Sequence, residues 1–165
     1  MMKQKTNLTF LLDVDGVLTS GTFLYSIDGK MLKEFGPHDS FMLKIMSPFV
    51  EIQFISADKR GFEISQKRVT DMGYEITLVP ETERYEYVKS NFDFKKLIYM
   101  ADGDADVKIL KEAYLSVAPF NARSEAKKSA DYITEALGGE GSVAEACDWL
   151  IDKLNLETDL KTKYY

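Results

Sequence analysis

A chain of 165 residues fits one domain and leaves no room for two of ordinary size. Hydrophobic residues make up 45% of it and charged residues 29%, so the chain can bury a core and is not disordered by composition. Its formal charge of -6, from 21 basic and 27 acidic residues, has the wrong sign for a general binder of nucleic-acid phosphates.

Signals for targeting and redox chemistry are few. Cys147 is the only cysteine, so the chain cannot form an internal disulfide. The N-terminal residues 1–7 are polar, and the apolar run after them is too short for the core of a signal peptide or for a membrane span. We therefore expect a cytoplasmic protein with no membrane partner and no nucleic-acid partner.

Short apolar runs alternate with longer amphipathic segments along the whole chain. This alternation is typical of an α/β domain with a parallel sheet. The first run is almost entirely apolar or β-branched, which predicts that it forms the central strand. Strands are predicted at residues 8–14, 50–55, 75–79, 96–101, 114–118 and 131–133.

Two segments carry additional signals. Residues 22–35 contain two β-rich runs joined by Asp28-Gly29, a dipeptide that supplies the positive φ angles of a tight hairpin, so a flap is predicted between the first strand and the first helix. Residues 142–154 place apolar side chains at helical spacing, which favours core packing and leaves a subunit contact as an alternative. That stripe consists of Val143, Ala146, Cys147, Leu150 and Leu154.

The strongest local signal is the sequence Asp13-Val14-Asp15-Gly16 at the end of the first predicted strand. Open α/β sheets bind their ligands beyond the carboxyl ends of the strands. An unpaired charge buried in an apolar strand is costly, so Asp13 requires a cation or several hydrogen-bond donors. The alternative is that Asp13 only caps the turn that follows, and the spacing favours the functional role.

A second acidic cluster, Asp102-Gly103-Asp104-Ala105-Asp106, follows another apolar run. Carboxylate oxygens that converge from two strand ends suit Mg²⁺, which takes one or two carboxylates and leaves room for a substrate phosphate. We expect Asp102 to be a metal ligand and Asp104 to cap the next helix. The alternative is that Asp104 and Asp106 simply favour a helix N-terminus by charge and capping.

Two further polar residues have weaker signals. Ser56 ends an apolar run and can donate a hydrogen bond to a phosphate oxygen, although any buried strand can end in serine without such a role. His38 stands beside Asp39 at the predicted start of the first helix, where a structural or capping role is favoured over contact with a substrate.

Taken in order, these motifs resemble those of the haloacid dehalogenase superfamily of phosphotransferases, whose first motif is DxDG after the first strand. The resemblance is closest to its small capless branch and extends over about residues 8–154. That branch contains the 3-deoxy-octulosonate 8-phosphate phosphatases, the nonulosonate 9-phosphate phosphatases and a domain attached to some sialic acid cytidylyltransferases. The segments that carry the resemblance are 13–19 (DVDGVLT), 32–35 (LKEF), 38–39 (HD), 130–134 (ADYIT) and 138–141 (GGEG).

The resemblance implies a three-layer, Rossmann-like α/β core with a central parallel sheet, a small β-hairpin flap and no cap domain. It implies a single domain over residues 1–165, with a core at about 8–154 and a flexible tail at 155–165. It also implies a homotetramer, in which the flap and the neighbouring subunits exclude water from the site.

The resemblance also implies roles for individual residues. Asp13 would attack phosphorus and become a phosphoaspartate, and Asp15 would protonate the leaving oxygen and then activate water. Mg²⁺ would be held by Asp13, the backbone carbonyl of Asp15 and Asp102, while Ser56 would bond a phosphoryl oxygen. Substrate contacts would come from Gly16, Ala57, Lys89 and Gly139.

Two motifs depart from the family pattern beside the phosphate. Relatives carry threonine-glycine where this chain has Ser56-Ala57, which keeps the hydroxyl. Relatives supply a catalytic lysine where this chain has Arg84, which keeps the charge but not the compact ammonium. Lys89, about one helical turn further along, is the alternative source of that charge.

Two other motifs depart in charge. The fourth motif keeps carboxylates at Asp102 and Asp106 but has Gly103 where relatives have a second aspartate, which predicts weaker metal binding. The glycine-rich motif has Glu140 where relatives have an arginine near a neighbouring subunit's site. This last change bears on the identity of the substrate more than on the chemistry.

Two functions are left open by the sequence. The first is a Mg²⁺-dependent phosphatase that hydrolyses an acidic sugar phosphate of the 3-deoxy-octulosonate 8-phosphate or nonulosonate 9-phosphate type. The second, suggested by the altered motifs, is a weakly catalytic or non-catalytic relative that serves in oligomerisation or partner binding. A response-regulator receiver would share the acidic strand ends and Mg²⁺, but it would not require Asp15 or the hairpin and is disfavoured.

Overall fold

The structure is a computed structural model that describes residues 5–158, and its elements follow the predicted alternation. The strands are β1 (Thr9–Asp13), β2 (Leu24–Ser26), β3 (Gly29–Leu32), β4 (Glu51–Ser56), β5 (Glu75–Leu78), β6 (Leu97–Met100), β7 (Leu115–Ala118) and β8 (Tyr132–Ile133). The α-helices are α1 (His38–Met46), α2 (Phe62–Asp71), α3 (Glu81–Asn91), α4 (Val107–Glu112), α5 (Ser124–Ser129) and α6 (Ser142–Lys153). Short 3₁₀ turns at Phe94–Lys96 and Asp104–Asp106 precede β6 and α4.

Six strands form one sheet in the order β5-β4-β1-β6-β7-β8, and every neighbouring pair in it is parallel. All six strands predicted from the sequence are present, and β1 lies in the interior of the sheet between β4 and β6, as expected. The chain moves away from β1 in both directions. This topology opens a crevice at the carboxyl ends of the central strands.

Helices cover both faces of the sheet, because alternate side chains of its buried strands point to opposite sides. Phe10 and Leu12 belong to a core shared with α1, α2 and α6, whereas Leu11 belongs to a core shared with α3, α4 and α5. The predicted three-layer architecture is therefore confirmed. The described residues contain no cap domain, and the hairpin is inserted between β1 and α1.

The hairpin of β2 and β3 is antiparallel and separate from the main sheet, as predicted. Only one residue of the Asp28-Gly29 dipeptide has a positive φ angle, however, which is Gly29 at 118°. Ser26 pairs with Gly29, so Ile27 and Asp28 form the connection and the left-handed conformation falls on the glycine that follows them. The expectation of a positive φ angle at Asp28 was wrong for this reason.

Helix α6 packs against α1, and the apolar stripe predicted for it belongs to the core. Four of the five stripe residues are fully buried, and Leu154 is partly buried against the same core. The buried carboxylate of Asp39 accepts a hydrogen bond from the Ala144 backbone N–H at 2.9 Å, which ties the first turn of α6 to α1. Core packing within the chain therefore accounts for the stripe.

The C-terminal segment was predicted to be a flexible tail from residue 155, and its residues 159–165 lie outside the described residues. The Leu156 backbone N–H donates to the Ile151 carbonyl at 2.9 Å, and the Leu156 side chain packs against the core. Packing therefore continues past the predicted core boundary. Within residues 5–158 the structure has no helix that is both long and apolar enough to cross a membrane.

Candidate active site

A cleft of about 780 Å³ opens at the carboxyl ends of β1, β4 and β6. Residues from all three strand ends line it: Asp13 and Asp15 from β1, Asp58 from β4 and Asp102 from β6. Helix α3 contributes Arg84 to the wall. The structure thus brings together the two acidic motifs that the sequence predicted to meet.

Arg84 is the central cation of this cleft. Its side chain is buried, and Nη1 donates to Asp13 Oδ2 at 2.9 Å and to Asp106 Oδ1 at 3.0 Å. The other oxygen of Asp13 accepts from the Val14 backbone N–H at 2.8 Å. Both oxygens of the predicted nucleophile are therefore held in a fixed orientation.

Several predicted residues lie outside the lining of the cleft. Lys89 is exposed on α3, with Nζ 5.9 Å from the centre of the Tyr85 ring, so Arg84 and not Lys89 is the cation beside Asp13. His38 is the first residue of α1, as expected, and does not line the cleft. Glu140 is exposed and also lies outside the lining.

Two carboxyl groups of the cleft, those of Asp13 and Asp102, have raised pKa values. Burial raises the pKa of Asp13 to about 7, and the nearby Asp106 and Asp102 add to the rise. Arg84 opposes this shift without cancelling it, because the effect of burial is larger. Burial and the Asp106 carboxylate likewise raise the pKa of Asp102 to about 6. An added cation would relieve this excess of negative charge.

The donor set fits a hard divalent cation. No three His, Cys, Asp or Glu side chains within residues 5–158 converge closely enough to hold a metal ion by themselves. The predicted set needs only the carboxylates of Asp13 and Asp102 together with the Asp15 carbonyl, and Mg²⁺ commonly keeps several waters besides one or two carboxylates. The Asp102 carboxylate reaches the first motif directly, since a Cβ added to Gly16 would lie 2.0 Å from Asp102 Oδ2.

Asp15, the predicted acid, is held on both oxygens. Ser56 Oγ donates to its Oδ2 at 3.2 Å, and Lys33 Nζ lies 2.6 Å from its Oδ1. Ser56 is fully buried and does not line the cleft, whereas the neighbouring Ala57 does. The hydroxyl of Ser56 thus supports Asp15, and its predicted contact with a phosphoryl oxygen stays a prediction.

Sequence reasoning assigned no role to the two lysines of the hairpin, although Lys33 lies in the segment 32–35 that carries the resemblance. The side chain of Lys33 is buried, and its Nζ lies 2.7 Å from Asp58 Oδ2, which Lys30 also contacts. Burial alone would raise the pKa of Asp58, but the hydrogen bonds from both lysines lower it to about 2. No local pattern predicts the contacts of these lysines with Asp58, because the residues meet only when the hairpin folds over the end of β4.

The loop after β1 is supported by the glycine-rich motif and by a residue that the sequence did not single out. Asn121 Nδ2 donates to the Gly16 carbonyl at 2.9 Å, and Asn121 Oδ1 accepts from the Gly138 N–H at 2.6 Å. The Gly139 N–H donates to the Val17 carbonyl at 3.1 Å. Gly16 and Gly139, predicted as substrate contacts, do not line the cleft and instead shape this loop.

The fourth motif differs from expectation at Asp104, which makes no capping hydrogen bond. It lies inside the 3₁₀ turn that follows Gly103, so its side chain is not in the cap position, and its Oδ2 pairs with Arg123 Nε at 3.1 Å at the edge of the cleft. Asp106 has a larger role than helix-end charge, because it binds Arg84 and accepts a hydrogen bond from the Tyr99 hydroxyl.

Residues 86–146 match the model of the haloacid dehalogenase-like hydrolase family. Over 157 residues the chain is 26% identical to the 3-deoxy-D-manno-octulosonate 8-phosphate phosphatase of Haemophilus influenzae. The aligned residues cover 92% of this chain and 87% of that protein. The chain is therefore similar to the haloacid dehalogenase-like hydrolases in residues 86–146 and to one of their phosphatases over most of its length.

Solved structures of two phosphatases share its fold. The cobalt-bound deoxy-D-mannose-octulosonate 8-phosphate phosphatase of Haemophilus influenzae superposes with a TM-score of 0.77 at 24% identity, covering 90% of each chain. The 3-deoxy-D-manno-octulosonate 8-phosphate phosphatase of Moraxella catarrhalis, in complex with a magnesium ion, a phosphate ion and KDO, gives a TM-score of 0.69 at 24% identity. The match covers 88% of this chain and 86% of that one.

Proposed function

We propose that this protein is a Mg²⁺-dependent phosphatase that hydrolyses an acidic sugar phosphate through a phosphoaspartate. The observation that carries the proposal is one cleft in which Arg84 orients Asp13 while Asp15 and Asp102 stand beside it. The substrate class follows the relatives, which are 3-deoxy-octulosonate 8-phosphate phosphatases. A nonulosonate 9-phosphate is the longer substrate of the same class.

The contacts of Asp13 and Asp15 suit a two-step displacement. An Asp13 oxygen attacks phosphorus, the bond from phosphorus to the sugar oxygen breaks, and Asp15 gives its proton to that oxygen. Asp15 then takes a proton from water, which attacks phosphorus and frees Asp13. Arg84 provides fixed positive charge beside the reacting carboxylate throughout.

Asp13, Asp102 and the backbone carbonyl of Asp15 are the residues that would hold Mg²⁺. The ion, when bound, reduces the repulsion between the attacking carboxylate and the anionic phosphate. The raised pKa values of Asp13 and Asp102 support this assignment, because carboxylates that resist ionisation alone gain most from a neighbouring cation. Magnesium is also present in the structure of the Moraxella catarrhalis phosphatase.

We further propose that four copies assemble and that the hairpin packs on a neighbouring copy. The support is a set of apolar hairpin side chains, each more than half exposed in the single chain. These side chains are Leu24, Tyr25, Ile27, Met31 and Leu32. A patch of this kind marks an interaction surface. Light scattering after size exclusion should give the mass of a tetramer, and Ile27→Asp should lower it. A wild-type monomer would contradict the proposal.

The second hypothesis, an oligomerisation or binding module without catalysis, receives no support from the known relatives. The paired contacts on Asp13 and Asp15 also argue against it, because a module without chemistry has no need to hold two carboxylates in a cleft.

Phosphate release tests the function. Purified protein with Mg²⁺ should release phosphate from 3-deoxy-octulosonate 8-phosphate, and Asp13→Asn should abolish the release. Asp71→Asn is the matched control, since Asp71 is an exposed carboxylate paired with Lys67 on α2. Asp15→Asn should slow turnover by ~10²–10⁴-fold, the usual range for proton transfer. Equal release by wild type and Asp13→Asn, over a panel of sugar phosphates, would overturn the proposal.

A further inference from the structure

We propose that Lys33, at the base of the hairpin, is a positioning residue that holds the Asp15 carboxyl group where it can protonate the leaving oxygen. This inference rests on the proposed function, in which Asp15 is the general acid. It assigns a catalytic purpose to the hairpin beyond covering the cleft.

The ammonium group of Lys33 has three donors, and each has a partner. Nζ lies 2.6 Å from Asp15 Oδ1 and 2.7 Å from Asp58 Oδ2, and it donates to Ser65 Oγ at 2.8 Å. The partners come from the loop after β1, the loop after β4 and helix α2. An ammonium held from three separate elements cannot turn without breaking at least one of these contacts.

Lys33 and Asp15 differ in exposure, and this difference shows which side of the Asp15 carboxyl group faces the cleft. The Lys33 side chain is 0% exposed, whereas the Asp15 side chain is 29% exposed and lines the cleft. The lysine therefore lies behind the carboxyl group and leaves it open on the side from which a substrate would approach. Ser56 Oγ holds the other oxygen of Asp15, so the orientation of the group is fixed at two points.

Ion pairs explain why a lysine side chain can be buried here. Lys33 and Lys30 both contact the Asp58 carboxylate, and Lys33 also contacts the Asp15 carboxyl group, which the proposed mechanism uses in both its protonated and its ionised form. Buried charges are tolerated when they are paired and hydrogen-bonded. Lys30 shares Asp58 with Lys33 but makes no ion pair with Asp15. A substitution of Lys30 is therefore the control for a substitution of Lys33.

Packing restricts the two lysine stems as well. A Cβ added to Gly61 would lie 2.6 Å from Lys30 Cδ and 2.8 Å from Lys33 Cε. The same atom would lie 2.3 Å from Asp58 Oδ2. Gly61→Ala is therefore a second way to displace Lys33 while keeping its charge.

A comparison of two leaving groups distinguishes a role of Lys33 in positioning the acid from a general effect of Lys33 on protein stability. A sugar alkoxide must gain a proton as it leaves, whereas p-nitrophenolate departs without one, so misplacing Asp15 should affect the sugar substrate more. The ratio kcat/KM is the right measure, because it covers the steps up to departure of the leaving group and not the later hydrolysis of the phosphoaspartate.

The experiment compares 3-deoxy-octulosonate 8-phosphate with p-nitrophenyl phosphate in the presence of Mg²⁺. For Lys33→Met, kcat/KM with the sugar phosphate should fall by ~10²-fold or more and that with the nitrophenyl ester by less than ~10-fold. Lys30→Met should leave the ratio of the two values at the wild-type level. Melting temperatures of all variants show which of them are folded at the assay temperature.

An equal fall of both kcat/KM values in folded Lys33→Met would overturn the inference, because it would show a merely structural role. If Lys33→Met does not fold, Gly61→Ala decides the matter, and an unchanged ratio in that variant would also overturn it. A wild-type protein that is inactive on both esters would instead refute the proposed function, and this inference with it.

Discussion

Removing Arg84 tests how far the stability of the cleft depends on one buried cation. The residue is 2% exposed, and its Nη1 bridges Asp13 at 2.9 Å and Asp106 at 3.0 Å. Arg84→Met keeps much of the side-chain volume and removes the charge. Both carboxylates then lose a partner that burial does not allow water to replace.

The free energy of unfolding should fall by ~3–5 kcal/mol at pH 8, the usual range when one partner of a buried ion pair is removed. The loss should be smaller at pH 5. Burial raises the pKa of Asp13 to about 7 even with Arg84 present, and the pKa rises further once the guanidinium is gone. A carboxyl group with a raised pKa binds its proton more tightly in the folded state, so acidification neutralises the charge left unpaired.

Urea unfolding followed by circular dichroism, in EDTA at pH 5 and pH 8, measures both losses. Arg123→Met is the control, because Arg123 and Asp104 form an ion pair with side-chain exposures of 72% and 53%. That exposed pair should contribute at most ~1 kcal/mol. The reasoning is refuted if Arg84→Met at pH 8 loses no more than the control, or if its loss does not shrink at pH 5.

Two further predictions concern the metal site. Gly16→Ala should abolish the rise in melting temperature on adding Mg²⁺, because the new Cβ would lie 2.0 Å from Asp102 Oδ2. Gly73→Ala is the control, because Gly73 has a similar φ of 87° and nothing lies near the new Cβ. This variant should show only a backbone strain of ~1–2 kcal/mol and should keep the rise in melting temperature on adding Mg²⁺. Loss of that rise in both variants would contradict the role of Asp102. In EDTA the wild-type melting temperature should fall from pH 5 to pH 8. The pKa values of Asp13 and Asp102 are raised to about 7 and about 6 in the folded protein. These groups therefore bind protons in the folded state that the unfolded chain releases, and this stabilisation is lost as the pH rises. Mg²⁺ should reduce that fall in scanning calorimetry, and a fall of the same size with and without Mg²⁺ would count against a cation at these carboxylates.

The sequence by itself determined the strands and the acidic ends of two of them. Buried parallel strands are continuous apolar runs, so their signal lies within a few neighbouring residues and survives without knowledge of the fold. Asp13 and Asp102 stood out for the same local reason, because each is a carboxylate directly after such a run. The parallel topology then required them to meet at one edge of the sheet.

Only the tertiary structure decided which cation faces Asp13 and what holds Asp15. Arg84 and Lys89 lie on the same helix about one turn apart, and the packing of α3 on the sheet buries the first and exposes the second. The contact of Lys33 with Asp15 depends on a hairpin that folds back over the end of β4. Such contacts join residues that are distant in the chain, so no pattern of neighbouring residues contains them.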